Sequence, residues 1–158
     1  MLIKKLLING IILFTITACV SPDMRKAKEI DVADAKFRQT LPKPNADYGK
    51  YPKDYKVLIK NYMNKQLKDP DSAKYSEFSK PRKEHVIYKA KSGIPLTEGD
   101  VYYGYSSCVQ VNAKNSYGGY TGNQAYWFFF YNNEVMRVQK ISELNMIYIG
   151  RPINCQNG

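Results

Sequence analysis

The run from Ala125 to Tyr131, with Tyr126, Trp127, Phe128, Phe129 and Phe130 in unbroken succession, constrains this chain more than any other stretch. In an extended backbone successive side chains point to opposite faces, so Trp127 and Phe129 share one side while Tyr126, Phe128 and Phe130 share the other. A strand of this kind needs cover on both faces, because water on either side would meet large aromatic rings. It therefore reads as a central strand. Either a helix lies over one face and the chain ends over the other, or a partner supplies the second layer.

The neighbouring segments supply the rest of such a sheet. Val101, Tyr103, Tyr105, Ser107, Val109, Val111 and Ala113 alternate with Tyr102, Gly104, Ser106, Cys108, Gln110 and Asn112, which predicts a long strand with Cys108 facing away from Val109 and Val111. Val86, Tyr88 and Ala90 alternate with His85, Ile87 and Lys89 in an earlier strand, and a loop from Gly93 to Asp100 joins the two. Asn132-Asn133 predicts a tight turn, since asparagine tolerates positive φ, and Val135 to Ile141 returns as a further strand. There Met136 and Val138 face one way and Val135 and Ile141 the other. The tail from Ser142 carries an apolar patch, Met146-Ile147-Tyr148-Ile149, and reads as a segment that wraps back.

Upstream, Tyr55, Leu58, Ile59, Tyr62, Met63 and Leu67 recur at helical spacing, which predicts an amphipathic helix over residues 52–68 opened by Pro52 and closed ahead of Pro70. Asp69 to Ala73 then reads as a capped single turn. A helix lying on a membrane is the alternative for 52–68, but the strands that follow need a cover. The expected fold is α+β: one N-terminal amphipathic helix packed on an antiparallel sheet of about four strands, after a flexible tether. Residues 51–158 form that single domain. Residues 20–50 hold few large apolar side chains and contain Leu41-Pro42-Lys43-Pro44, so they read as the tether, with a reach of roughly 30 Å if fully flexible. Inside it, Ser21 can cap a helix with Pro22 at its first position and Met24, Ala27, Ile30, Ala33 and Phe37 near one stripe.

The N-terminus fixes the expected compartment. Lys4 and Lys5 precede an apolar run from Leu6 to Ile16 that is too short for the ~20 residues of a membrane-spanning helix but suits a secretory signal. The run ends in Ile16-Thr17-Ala18-Cys19, which resembles the lipobox of bacterial lipoproteins. That resemblance implies cleavage after residue 18, a diacylglycerol on Cys19, residues 19–50 as lipidated N-terminus and tether, and a membrane-anchored chain in the cell envelope. Val20 in the next position leans, by the family's sorting rule, to the outer membrane over the inner. Cleavage would leave 140 residues with 22 basic and 14 acidic side chains, a net charge of +8. A cytosolic chain this basic would suggest nucleic acid. Export removes that partner and leaves anionic headgroups, cell-wall polymers or an envelope protein, or lysines that serve only solubility.

With Cys19 claimed by lipid, Cys108 and Cys155 remain in a compartment that permits disulfides. Bridging them would contribute about 4 kcal/mol by chain entropy. A metal site is the rival, but His85 is the one histidine and no Cys-x-x-Cys occurs; two buried free thiols are the other alternative. No cofactor or metal is expected.

Function concentrates in the loop between the two best strands, where Lys114, Asn115, Tyr117, Gly118, Gly119 and Tyr120 combine backbone freedom with two rigid amphipathic rings. Such a loop suits a sugar face or a protein surface; alternatively its tyrosines pack on their own sheet. Leu67-Lys68-Asp69-Pro70-Asp71-Ser72-Ala73 and Val111 to Gly122 together resemble phrases in small exported bacterial proteins and lipoproteins, which implies one domain across residues 52–140 and imports no activity. For catalysis the inventory is thin. His85 has no evident nucleophile, and Glu98 with Asp100 is an acidic pair of a kind common in turns. The expectation is a non-enzymatic, lipid-anchored binding or assembly component of the envelope, for instance accessory to a secretion or conjugation apparatus. A structural or adhesive module is next, and a cell-wall hydrolase last.

Overall fold

The computed structural model describes residues 21–141 and 145–156. The expected signal, the lipobox and Cys19 lie outside the described residues. Two helices and seven strands follow in order: α1 Pro22–Arg38, α2 Tyr55–Gln66, β1 Asp69–Ser76, β2 Arg82–Ile87, β3 Val101–Lys114, β4 Gln124–Tyr131, β5 Glu134–Lys140, β6 Met146–Tyr148 and β7 Arg151–Pro152.

The fold is α+β, and its main sheet is antiparallel with five strands. β3 is the spine, with β4 and then β5 along one edge and both β1 and β2 along the other. The fifth strand, beyond the expected four, comes from this end-to-end arrangement. β2 pairs with Val101–Ser106 and β1 with Gln110–Lys114. Between them Glu77 takes φ +53°, which breaks the extended run. Ser79 bridges the gap, with its amide donating to the Cys108 carbonyl at 2.9 Å and its hydroxyl accepting from the Cys108 amide at 2.8 Å. The capped turn expected at 69–73 lies inside β1: Asp69 Oδ1 accepts from the Ser72 amide, and the pairing register shifts between Asp69 and Lys74.

Two clusters occupy the two faces of the sheet. Ile59 and Met63 of α2 share one with Val109, Val111, Phe128 and Phe130. The other joins Val86, Cys108, Trp127, Phe129 and Ile147, so the C-terminal segment covers the second aromatic face. Cys108 and Cys155 are bridged by a disulfide, with Cα atoms 5.4 Å apart. Gly104 lets β4 approach, since a Cβ there would overlap the Phe130 carbonyl oxygen. Asn132 and Asn133 turn the chain at φ +48° and +62°. The pattern in β5 differs from the expected alternation. Val135 and Val138 lie with the α2 cluster and Met136 and Ile141 with the other, because a bulge opposite Phe129 and Phe130 puts an extra residue in the strand.

The segment expected to be a free tether is pinned to the sheet region at Asp34, Lys43 and Tyr48. Ser21 caps α1 by accepting from the Met24 amide, and Pro22 occupies its first turn. Asp34 is buried, with Oδ2 on Lys89 Nζ and Oδ1 accepting from the Leu96 amide, both at 2.7 Å. Burial opposes the charged carboxylate, but the hydrogen bonds from Lys89 and Leu96 outweigh it and lower the Asp34 pKa. Further on, the Lys43 amide donates to Tyr103 Oη and the Tyr48 ring meets the Tyr103 ring edge-on at 5.4 Å. Polar pins do here what large apolar side chains do elsewhere, which is why composition alone suggested a tether.

Candidate functional site

The β3–β4 connection is a short hairpin tip whose shape one side chain sets. Asn115 Oδ1 accepts from the amides of Tyr117 and Gly119 at 2.9 and 3.1 Å, an Asx arrangement that fixes the turn from inside. The Asn115 amide donates to the Gly119 carbonyl, and Gly118 closes the turn at φ +79°. Lys114 pairs with Tyr120 in a bridge and the Thr121 amide donates to the Ala113 carbonyl, so the tip continues the ladder of β3.

The two tyrosines are placed differently. Tyr117 stands 97% exposed at the apex, while Tyr120 is 45% exposed and leans between two ammonium groups. Lys74 Nζ lies 4.7 Å and Lys114 Nζ 5.6 Å from the Tyr120 ring centroid. Every candidate in the loop, Lys114, Asn115, Tyr117, Gly118, Gly119 and Tyr120, thus belongs to one tip, and the fold adds Lys74 from β1. Lys74 was missed because nothing in its own segment links it to a residue so much later in the chain. The tip is a cationic and aromatic surface, suited to stacking on a planar or sugar ring and to neutralising an acidic neighbour.

A second polar constellation lies at the other end of β3, where β2 presents Glu84 and His85 almost fully buried. Glu84 Oε1 accepts from Arg151 Nη2 at 2.7 Å, Arg151 Nε at 3.2 Å and the His85 amide at 3.0 Å. His85 Nε2 shares a 2.6 Å hydrogen bond with Tyr148 Oη. Burial lowers the histidine pKa against the opposing pull of Glu84, and burial raises that of Tyr148, so both are neutral near pH 7. These groups tie β2 to the C-terminal hairpin β6–β7. The imidazole is 1% exposed behind Tyr148, so in this conformation no substrate reaches it. The acidic pair is likewise occupied. Asp100 accepts from the amides of Ala90 and Thr97 and from the Thr97 hydroxyl, and these bonds lower its pKa, while Glu98 pairs with Lys43 at 3.0 Å.

Among the described residues, no group of three or more His, Cys, Asp or Glu side chains is placed to hold a metal ion, and no helix is long and apolar enough to cross a membrane. The chain matches no family model, no curated protein sequence and no solved structure.

Proposed function

We propose that this chain is a lipid-anchored envelope protein, held through Cys19 with an outer-membrane leaning, which acts by binding rather than by catalysis. Its binding surface is the β3–β4 tip, presented to an envelope protein or a cell-wall polymer, and α2 serves as a fixed cover of one sheet face rather than as a membrane-lying helix. The observation that carries this reading is Tyr117: a large aromatic ring, 97% exposed, on a backbone held in one shape by Asn115. A rigid exposed ring loses little conformational freedom on contact and contributes strongly to recognition. Ile59 and Met63, at 0% and 2% exposure, support the role assigned to α2, since a helix on a bilayer would turn its apolar stripe outward. The anchor would also act differently from a loose tether. α1 begins three residues after Cys19 and its 17 residues span about 25 Å, so the lipid would hold the domain near the membrane through a stiff element.

The test is capture of envelope partners by the full chain after Tyr117→Ala and Tyr120→Ala together. Capture should fall at least about tenfold with thermal stability preserved, because exposed side chains contribute little to folding. Wild-type capture by the double variant would remove the tip from the account.

A further inference from the structure

Beside the tip, the fold leaves a cleft of about 470 Å³. Its origin is a mismatch of lengths. α2 ends at Gln66, ahead of the Asp69-Pro70 pair, whereas β3 runs on to Lys114 and β4 starts at Gln124. Past the end of the helix, the same sheet face that carries Val109, Val111 and Phe128 therefore continues without a helical cover. Lys140, the register partner of Tyr126, closes the cleft along β5.

We propose that this cleft binds a saccharide unit bearing a carboxylate or a phosphate. Its wall holds two ammonium side chains, Lys68 and Lys140, and the end of β3 at Lys114, together with the amides of Gln66 and Gln124 and the half-buried ring of Tyr126. Among the described residues neither Lys68 nor Lys140 forms an ion pair, and no acidic residue lines the cleft. The nearest carboxylate by register, Asp69 opposite Lys114, turns into its own segment to accept from the Ser72 amide. Unneutralised ammonium groups around a concave surface favour an anion. The amides provide both donors and acceptors, as sugar hydroxyls require, and an aromatic ring offers a flat apolar surface for a pyranose face. The volume lies within the ~300–1,000 Å³ of small-molecule sites. This deepens the proposed binding role and rests on it only through Lys114, whose strand end supports both the tip and the cleft wall.

The experiment is calorimetric titration of the full chain in detergent with four probes: a hexuronate-containing disaccharide, glucose 6-phosphate, the neutral disaccharide cellobiose, and inorganic phosphate. The expected result is binding of at least one charged sugar, with cellobiose and inorganic phosphate each at least about tenfold weaker, and the choice between uronate and sugar phosphate identifies the source of the charge. The Lys68→Gln/Lys140→Gln variant, outside the tip, should lose about tenfold in affinity for that sugar while its melting temperature stays put. Equal binding of cellobiose or of inorganic phosphate, no binding of either charged sugar, or unchanged affinity in the lysine variant would each overturn the proposal. The Tyr117→Ala/Tyr120→Ala variant separates the two readings. Charged-sugar binding that survives in it supports the cleft even if partner capture is lost, whereas an unaltered Lys68→Gln/Lys140→Gln titration ends the cleft and leaves the tip standing.

Discussion

The two polar constellations at opposite ends of β3 use their chemistry in opposite ways. At the Glu84 end, a carboxylate, an imidazole, a guanidinium and a phenol converge as an active site would, yet the carboxylate and imidazole are buried and all four are bonded to one another, and what they hold is the C-terminal hairpin. At the Asn115 end, Asn115, Thr121 and Gln124 are committed to the local backbone, and Tyr117 and Tyr120 are left exposed, with Lys74 and Lys114 against the Tyr120 ring. The first arrangement spends its titratable groups on holding the fold, and the second leaves its rings free for contact.

This contrast breaks if variants at the buried end alter capture, or if variants at the tip unfold the chain. The largest effect is expected at Arg151. Arg151→Met leaves the Glu84 carboxylate buried without its main donor and should cost about 3 kcal/mol by denaturant unfolding. Glu84→Leu combined with Arg151→Met should recover most of that loss, because a buried ion pair and an apolar pair of similar volume are close in energy. Envelope capture, measured on folded protein, should be unchanged in both. A smaller effect is expected at Asn115. Asn115→Ala removes the acceptor for two amides at the tip, should cost about 1 kcal/mol, and should weaken capture severalfold by loosening the platform under Tyr117. The smallest effect is a pH slope. Because burial lowers the folded-state pKa of His85, the unfolded chain takes up a proton below about pH 6.5 that the folded chain refuses, so stability falls as pH drops from there until the folded imidazole itself titrates. His85→Asn should flatten that slope in chemical denaturation at pH 7 and pH 5.5.

Much of this architecture was legible in residue order. Period-2 alternation placed β3 and β4 within a residue of where they lie, and three- and four-residue spacing placed α2 inside the predicted 52–68. Both signals are local and need no knowledge of distant partners. β1 was hidden for a physical reason: Asp69-Pro70-Asp71-Ser72 carries turn chemistry, and the strand exists only because β3 is long enough to offer it an edge. The docking of Asp34 on Lys89 and Leu96, and of Glu84 on Arg151, could not be read at all, since residues so far apart in sequence meet only after the sheet has formed. At the tip, the glycines and asparagine announced the turn, whereas the contribution of Lys74 required the register of β1 against β3.

A photo-reactive residue at position 117 in intact envelopes reports whether the proposed Tyr117 apex meets an envelope partner. A control position at Val57 on α2, itself 55% exposed, reports on non-specific neighbours. The expected result is a discrete adduct from position 117 that position 57 does not give and that Asn115→Ala weakens. The same set of adducts from both positions, or none from 117, would contradict it.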